Sequence, residues 1–438
     1  MMFKKSRFNL ELSLEGRRYL YNSYSGALAE LDHLQFEQYQ KGDFQALGEL
    51  ELWLDMGFLV HRNLNETKML KTAFEKSRFR SQLYLTIAPT LLCNCACDYC
   101  YQDKTPITMK PEVYDAIREL ILSSHELTQK EIPVAWYGGE HFLCLHDIAA
   151  FTRDTASMIG NGKLHYTFVT NGTLFDAVAL DSIRKRAIIK SFQVSLDGPK
   201  HYHDKLRIYR NGKGTYDDIM ANLPNLAEYG NIVLRVNVDT HNQGIMDNLF
   251  TDLKATLPPD LRPSIYFANI QHCNANVQSD PERYIGPIRF IESKLKLSRM
   301  AARHGFTVEN LPQCNMGCTY STQNAFVIDP LGNCYKCWDF IGNPSFIIGN
   351  VQNYEDIYQD AEYLRELQFN PFESQNCPQC NMLPLCKSGC PAIMNSDLPQ
   401  PQEHLSCREI QLIYKKCIKQ HIKFHDIETQ EVSHENIS

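Results

Sequence analysis

The run Ser81-Gln82-Leu83-Tyr84-Leu85-Thr86-Ile87-Ala88-Pro89 reads as a β-strand that delivers the chain straight into Leu92-Cys93-Asn94-Cys95-Ala96-Cys97-Asp98-Tyr99-Cys100-Tyr101. There Cys93, Cys97 and Cys100 stand in a Cys-x3-Cys-x2-Cys spacing. Three thiolates this close in sequence can wrap three corners of a [4Fe-4S] cube and leave the last iron open to a substrate or cofactor. A zinc knuckle is the competing reading. It wants four closed ligands in paired spacing; Cys95 could supply a fourth, but Cys93-x-Cys95-x-Cys97 is tight for a zinc loop. Cys95 reads as a passenger, with a shifted ligand register as the alternative.

After this loop, strands alternate with stretches of helical length. Met109 to Ser124 reads as a helix, and Pro133 to Tyr137, Leu164 to Thr170, Ser191 to Leu196, Ile232 to Val238 and Ser264 to Ile270 as strands. Six strands separated by such insertions imply a parallel βα barrel with functional loops at the carboxyl ends of its strands. The 438 residues call for two or three domains.

The cysteine loop resembles the cluster motif of the radical S-adenosylmethionine (radical SAM) superfamily, including Tyr99 before the last cysteine and Tyr101 after it. The resemblance implies a partial barrel of six strands, open on one side, over about residues 82 to 305. It also implies that a reduced cluster splits S-adenosylmethionine to a 5′-deoxyadenosyl radical, which takes hydrogen from substrate. Trp136-Tyr137-Gly138-Gly139-Glu140-His141 is similar to the family's Gly-Gly-Glu-Pro motif, with His141 in place of proline. Gly138, Gly139 and Glu140 are thereby expected at the methionine amino group, where glycines permit close backbone approach. Thr170-Asn171-Gly172 ends one strand with small polar side chains suited to carboxylate or ribose oxygens. Ser195-Leu196-Asp197-Gly198 and His203-Asp204-Lys205-Leu206-Arg207 resemble the pattern of peptide-modifying members, which places Ser195 and Arg207 at the methionine carboxylate and Tyr99, Asp197 and Asn237 at the cofactor. Arginine suits a carboxylate through its planar fork. His165, His201 and His203 read as surface or packing residues.

Cysteines crowd again between residues 314 and 407. Cys318-x13-Gly332-x4-Cys337 precedes Cys377-x2-Cys380-x5-Cys386-x3-Cys390 and then Cys407, an order that resembles the SPASM extension of radical SAM maturases. The resemblance implies two auxiliary [4Fe-4S] clusters, for three in all: Cys314, Cys318, Cys337 and Cys390 on one, Cys377, Cys380, Cys386 and Cys407 on the other. Cys334 is the alternative to Cys314, and a pair of structural zinc sites is the alternative to clusters. Cys144, Cys273 and Cys417 fit no spacing. Tyr354 to Gln368 reads as a linking helix.

Residues 1 to about 65 read as a winged-helix-like unit. Two short strands surround a turn within Arg17 to Leu31, Asp32 caps a helix through about Gln40, a second helix covers Phe44 to Met56, and Gly57 to Val60 returns as a strand. "YNSYSGALAEL" and "LDMGFLV" resemble the PqqD-type element that grips leader peptides, which implies docking by strand addition to the exposed hairpin edge. The boundaries expected are 1–65 for this module, 66–81 for a linker or bridging helix, 82–305 for the barrel, 306–415 for the SPASM domain, and 416–438 for the end of a basic terminal helix (Ile410 to His425) and a disordered tail from Asp426.

The formal net charge of −7 argues against a nucleic-acid surface, and no apolar run reaches membrane-spanning length. The N-terminus lacks a secretory signal, so the protein is expected in the cytoplasm, where sixteen cysteines read as metal ligands or reactive thiols. The expected function is oxidative thioether or carbon–carbon cross-linking of a ribosomally made precursor peptide held by its leader, with flavodoxin or ferredoxin as electron donor. Three alternatives stand beside it: an anaerobic sulfatase-maturating enzyme, a peptide epimerase, and a non-catalytic zinc-binding peptide adaptor. In the sulfatase-maturating type a catalytic Asp directly follows an auxiliary cysteine. Here Cys337-Trp338-Asp339 moves the acid one position on, and Asp339 is the candidate catalytic residue.

Overall fold

A computed structural model describes residues 2–102, 105–270, 281–308, 311–314, 317–394 and 405–435. The chain forms two compact units. One gathers Met1–Phe79, Glu309–Cys318 and Phe369–Ser438, the other Arg80–Val308 and Thr319–Gln368. The stretch 306–415 is thus shared between the units, and the boundary after Phe79 falls within 66–81.

In the first unit, β1 (Phe3–Lys5), β2 (Asn9–Leu14), β3 (Arg17–Asn22) and β4 (Leu28–Leu31) precede α1 (His33–Lys41), α2 (Leu50–Asp55), β5 (Leu59–His61) and α3 (Glu66–Arg78). Asp32 caps α1 in a capping box with Gln35. α2 is shorter than the expected Phe44 to Met56 because Gly48 and Glu49 take left-handed backbone, φ +66° and +41°, which a helix cannot carry. β2, β3 and β4 form an antiparallel sheet, and β5 pairs with β1. Alternation on β3 divides its two faces. Tyr19 and Tyr21 join Leu10, Leu12, Met382, Leu385, Ile418 and Ile422, while Leu20 packs with Leu31, Tyr39, Trp53 and Phe58. α3 buries Leu70 against Phe8 and Leu383.

The terminal helix runs Cys407–Glu435, through the segment expected to be disordered from Asp426. Neither glycine nor proline interrupts it, so a nucleated helix propagates. Cys273 and the last three residues lie outside the described residues.

The second unit holds β6 (Tyr84–Ile87), α4 (Pro111–Thr128), β7 (Ile132–Trp136), α5 (Leu145–Ile159), β8 (Leu164–Thr170), α6 (Ala177–Arg184), β9 (Ile188–Ser195), α7 (Lys200–Leu206) and α8 (Tyr216–Ala227). It continues with β10 (Asn231–Val238), α9 (Met246–Thr256), β11 (Ser264–Asn269), α10 (Pro287–Arg303), β12 (Thr307–Val308), β13 (Ala325–Ile328), β14 (Cys334–Tyr335), α11 (Tyr354–Ile357) and α12 (Ala361–Glu366). The sheet order is β12-β11-β10-β9-β8-β7-β6-β13-β14, parallel except for β14. All six expected strands are present, and β12, β13 and β14 extend the sheet beyond them. The expected linking helix is broken into α11 and α12, because the Asp360 side chain accepts from the backbone of Glu362 and Tyr363 and starts a new helix. Phe192, Val194 and Leu196 are buried in the main core, which leaves half-buried Gln193 and Ser195 on the opposite face of β9. Among the described residues no helix is long and apolar enough to cross a membrane.

Candidate active site

β6 ends at Ile87, and the cysteine loop that follows is held on both sides by backbone. Ala96 N donates to Ile208 O (2.7 Å), Asp98 N to Leu206 O (3.3 Å), and Arg210 Nε to Cys93 O (2.8 Å). The loop after β7 closes the other side, with Gly139 N on Thr90 O (3.0 Å) and Glu140 N on Leu92 O (2.9 Å). That approach demands glycine. A Cβ on Gly139 would lie 2.2 Å from Leu92 O, and one on Gly138, at φ +110°, 2.5 Å from Thr90 O.

Glu140 is fully buried and receives Phe142 N (3.1 Å), Thr170 Oγ1 (2.8 Å) and Asn171 N (2.7 Å). Burial pushes its carboxyl up to about 7, against the pull of these donors. Its carboxylate therefore ties the β7 and β8 loops together and fixes the turn that carries Gly138 and Gly139. His141, in the proline position, stacks on Phe168 at 5.5 Å, and burial drives it down to about 3.

Four expected cofactor residues, far apart in sequence, meet in one network. Tyr99 donates to Asp197, Arg207 Nη1 donates to the Tyr99 hydroxyl (2.7 Å), and Asn237 Nδ2 reaches Tyr99 (3.2 Å) and Asp197 (2.9 Å). Arg207 and Asp197 also form a buried ion pair at 3.9 Å. Against the cost of burial, Cys97, Asp197 and the hydrogen bond to Tyr99 hold Arg207 protonated. His203, expected to be a surface or packing residue, orients this network. Its Nε2 faces Thr215 Oγ1 (2.9 Å), whose proton goes to Arg207 O (2.7 Å), so Nε2 carries the hydrogen and Nδ1 accepts from Asp197 N (3.2 Å). Burial holds this neutral form by moving the imidazole well below its usual value. Ser195 is half-buried and in register with Arg235 of β10.

Arg235 Nε donates to Asn237 Oδ1 (3.1 Å) and so joins the network. Burial raises the Asp339 carboxyl while the Arg235 charge pulls it down, and Cys337 Sγ lies 3.8 Å from Asp339 Oδ2. Tyr101 and Tyr137 share a hydroxyl–hydroxyl hydrogen bond, and Trp338 stacks on Tyr137 at 5.7 Å. Sequence reading missed Arg235 as the residue that holds the Asn237 amide. The signal was its position two residues before Asn237, on the same face of β10.

The donor set fits an iron–sulfur cube. Cys93 is buried and Cys97 and Cys100 half-buried on one braced loop, and the Cys93 sulfur already receives the N–H of Cys95 (3.4 Å). Among the described residues no three Cys, His, Asp or Glu side chains gather around a single ion; a cube takes each thiolate on a separate iron. The Cys95 thiol is buried, and its bond to Cys93, its burial and the charges of Cys93 and Cys97 raise its pKa, so it remains a thiol.

Residues 87–244 match the radical SAM superfamily. The chain carries a radical SAM domain. It is 23% identical over 364 residues to a cysteine-type anaerobic sulfatase-maturating enzyme of Clostridium novyi, covering 74% of this chain and 92% of that one. A serine-type relative from Bacteroides thetaiotaomicron is 24% identical over 162 residues, 35% of this chain and 38% of that one. Among solved structures, anSMEcpe with bound AdoMet superposes with a TM-score of 0.59 at 18% identity, over 81% of this chain and all of that one. Streptococcus suis SuiB bound to its precursor peptide SuiA gives 0.55 at 15% identity, over 91% of this chain and 98% of that one. These likenesses show the fold, and the second cysteine-rich region, residues 314–407, follows the matched domain in sequence.

In that region Cys377 and Cys380 both lie within electrostatic reach of Cys386. Cys377 Sγ is 2.7 Å from Ser388 Oγ, and Gln411 Nε2 is 3.8 Å from Cys380 Sγ. Cys314 and Cys318 both face the ammonium of Lys387, which burial pushes toward its neutral form and these thiols hold charged. Cys390 and Cys407 are exposed, the latter opening the terminal helix. Cys334, the alternative to Cys314, is fully buried in the main core of the second unit.

Proposed function

We propose that this radical SAM enzyme modifies a ribosomally made precursor peptide by an oxidative thioether or carbon–carbon cross-link, with the leader held on the N-terminal sheet. A [4Fe-4S] cluster on Cys93, Cys97 and Cys100, with S-adenosylmethionine, would supply the hydrogen-abstracting radical. Gly138 and Gly139 leave room for the methionine amino group, Ser195 and Arg207 face its carboxylate, and Tyr99, Asp197 and Asn237 orient the rest of the cofactor. Asp339, beside Arg235, is the carboxylate next to the reacting substrate. Eight further thiolates, Cys314, Cys318, Cys337 and Cys390 with Cys377, Cys380, Cys386 and Cys407, would hold two auxiliary clusters that accept the electron left by cross-linking. A flavodoxin or ferredoxin in the cytoplasm would reduce the first cluster.

The observation that carries the leader reading is the edge of β4. Asn22 N donates to Ala27 O, so Ala27, Ala29 and Leu31 turn their backbone groups toward β3, and those of Leu28 and Glu30 face away. An added peptide strand pairs there. Leu28→Pro removes one outward donor; it is expected to weaken leader binding at least about tenfold while peptide-free formation of 5′-deoxyadenosine continues. The sulfatase-maturating reading is favoured instead by the Clostridium novyi relative. Mass spectrometry of a co-expressed peptide separates the two: loss of two hydrogens marks a cross-link, formylglycine marks the second reading, and unchanged mass with deuterium uptake marks epimerisation.

A further inference from the structure

We propose that Asn171 is a positioning residue whose side-chain amide donates to the Cys93 sulfur and raises the reduction potential of the cluster on the radical SAM loop. The inference rests on the radical SAM reading of Cys93, Cys97 and Cys100, and assigns a role to the Thr170-Asn171-Gly172 turn that is distinct from binding carboxylate or ribose oxygens. Asn171 Nδ2 lies 3.7 Å from Cys93 Sγ, 3.3 Å from Cys95 Sγ and 2.8 Å from Asn94 Oδ1. The residue is 7% exposed, so water does not compete for these donors.

The direction of the amide is fixed independently of the sulfurs. Asn171 Oδ1 accepts the backbone N–H of Thr173 (2.9 Å) and its hydroxyl (2.8 Å). A backbone N–H only donates, so the oxygen must face Thr173 and the NH2 must face Cys93. The turn carrying it is rigid. Asn171 N is tied to Glu140, Gly172 N donates to Thr170 Oγ1 (3.0 Å), and a Cβ on Gly172, at φ +77°, would lie 2.5 Å from Val194 Cγ1. N–H donation to a cluster sulfur spreads its negative charge, favours the reduced state and raises the potential.

The test is a potentiometric titration of the reconstituted full-length protein, following the electron paramagnetic resonance signal that changes when S-adenosylmethionine is added. Asn171→Leu removes the donor at similar volume, and the reduced-to-oxidised ratio at a fixed poise is expected to fall about tenfold, which for a one-electron couple is about 59 mV. Asn171→Asp keeps the acceptor for Thr173 and is expected to shift the potential at least as far. Thr173→Val loses a loop hydrogen bond but leaves the amide in place, and should stay within about twofold of wild type. Both Asn171 variants retaining full iron at the wild-type potential would overturn the inference while leaving the radical SAM reading intact. A second measurement needs no variant: the reduced wild-type cluster, in protein labelled with 15N at the asparagine amides, should show hyperfine coupling to one such nitrogen. Absence of that coupling also overturns the proposal. Wild-type protein that takes up no iron on Cys93, Cys97 and Cys100 fails the underlying reading and this one together.

Discussion

The two cysteine zones are built on opposite plans. The loop at 92–101 is braced before any cofactor arrives: Ala96, Asp98, Glu140 and Arg210 tie it to two other loops, and Cys93 and Cys95 are buried. The zone at 377–407 has short helices, half-buried thiols and exposed Cys390 and Cys407. A site of the first kind fixes one open iron against a substrate. A site of the second kind would draw much of its order from a bound metal.

The largest effect expected from this contrast is functional. Cys97→Ala should remove about four irons per chain and abolish cleavage of S-adenosylmethionine, whereas Cys386→Ala should remove as many and leave peptide-free cleavage measurable. Equal loss of cleavage in both variants would erase the distinction. Next comes chelation of iron. Hydrogen exchange should rise at least about tenfold across Cys377–Cys386 and change little across 92–98, whose amides are bonded to the barrel. Uniform deprotection would contradict the account.

Smaller effects fall on single residues. Gly139→Ala drives a Cβ into Leu92 O and should cost about 2–3 kcal/mol in thermal unfolding, while Gly342→Ala, at φ +85° with nothing within 4 Å of the new Cβ, should cost about 1 kcal/mol of backbone strain. A further effect, confined to acid, concerns His141, whose ring nitrogens are buried without a hydrogen-bond partner among the described residues. Burial lowers its pKa from 6.5 to about 3, so protons prefer the unfolded chain. Its contribution is fully present above pH 6.5 and declines by about 1.4 kcal/mol per pH unit as the pH falls toward 3. His141→Phe should flatten that slope in denaturant titrations at pH 4 to 7.

Much of this was legible in the sequence because spacing and period carry it. Six strands followed from alternating strand and helix lengths, and the cysteines from their intervals. β2 escaped notice although Leu10, Leu12 and Leu14 alternate with Asn9, Glu11 and Ser13, a half-buried strand pattern. What could not be read was anything made by residues distant in the chain: Asn171 turning to Cys93, and Tyr99 meeting Asp197 and Asn237. Nor could the sequence show that residues 309–318 and 369–438 share a unit with the first 79. Discontinuous packing leaves no local signal.

The most direct test of the central claim is formation of 5′-deoxyadenosine by anaerobically reconstituted, dithionite-reduced protein given S-adenosylmethionine. A braced loop with one open iron predicts turnover in the wild type, none in Cys93→Ala, Cys97→Ala or Cys100→Ala, and full activity in Cys95→Ser. Wild-type protein with fully loaded, reduced clusters that forms no 5′-deoxyadenosine would contradict it.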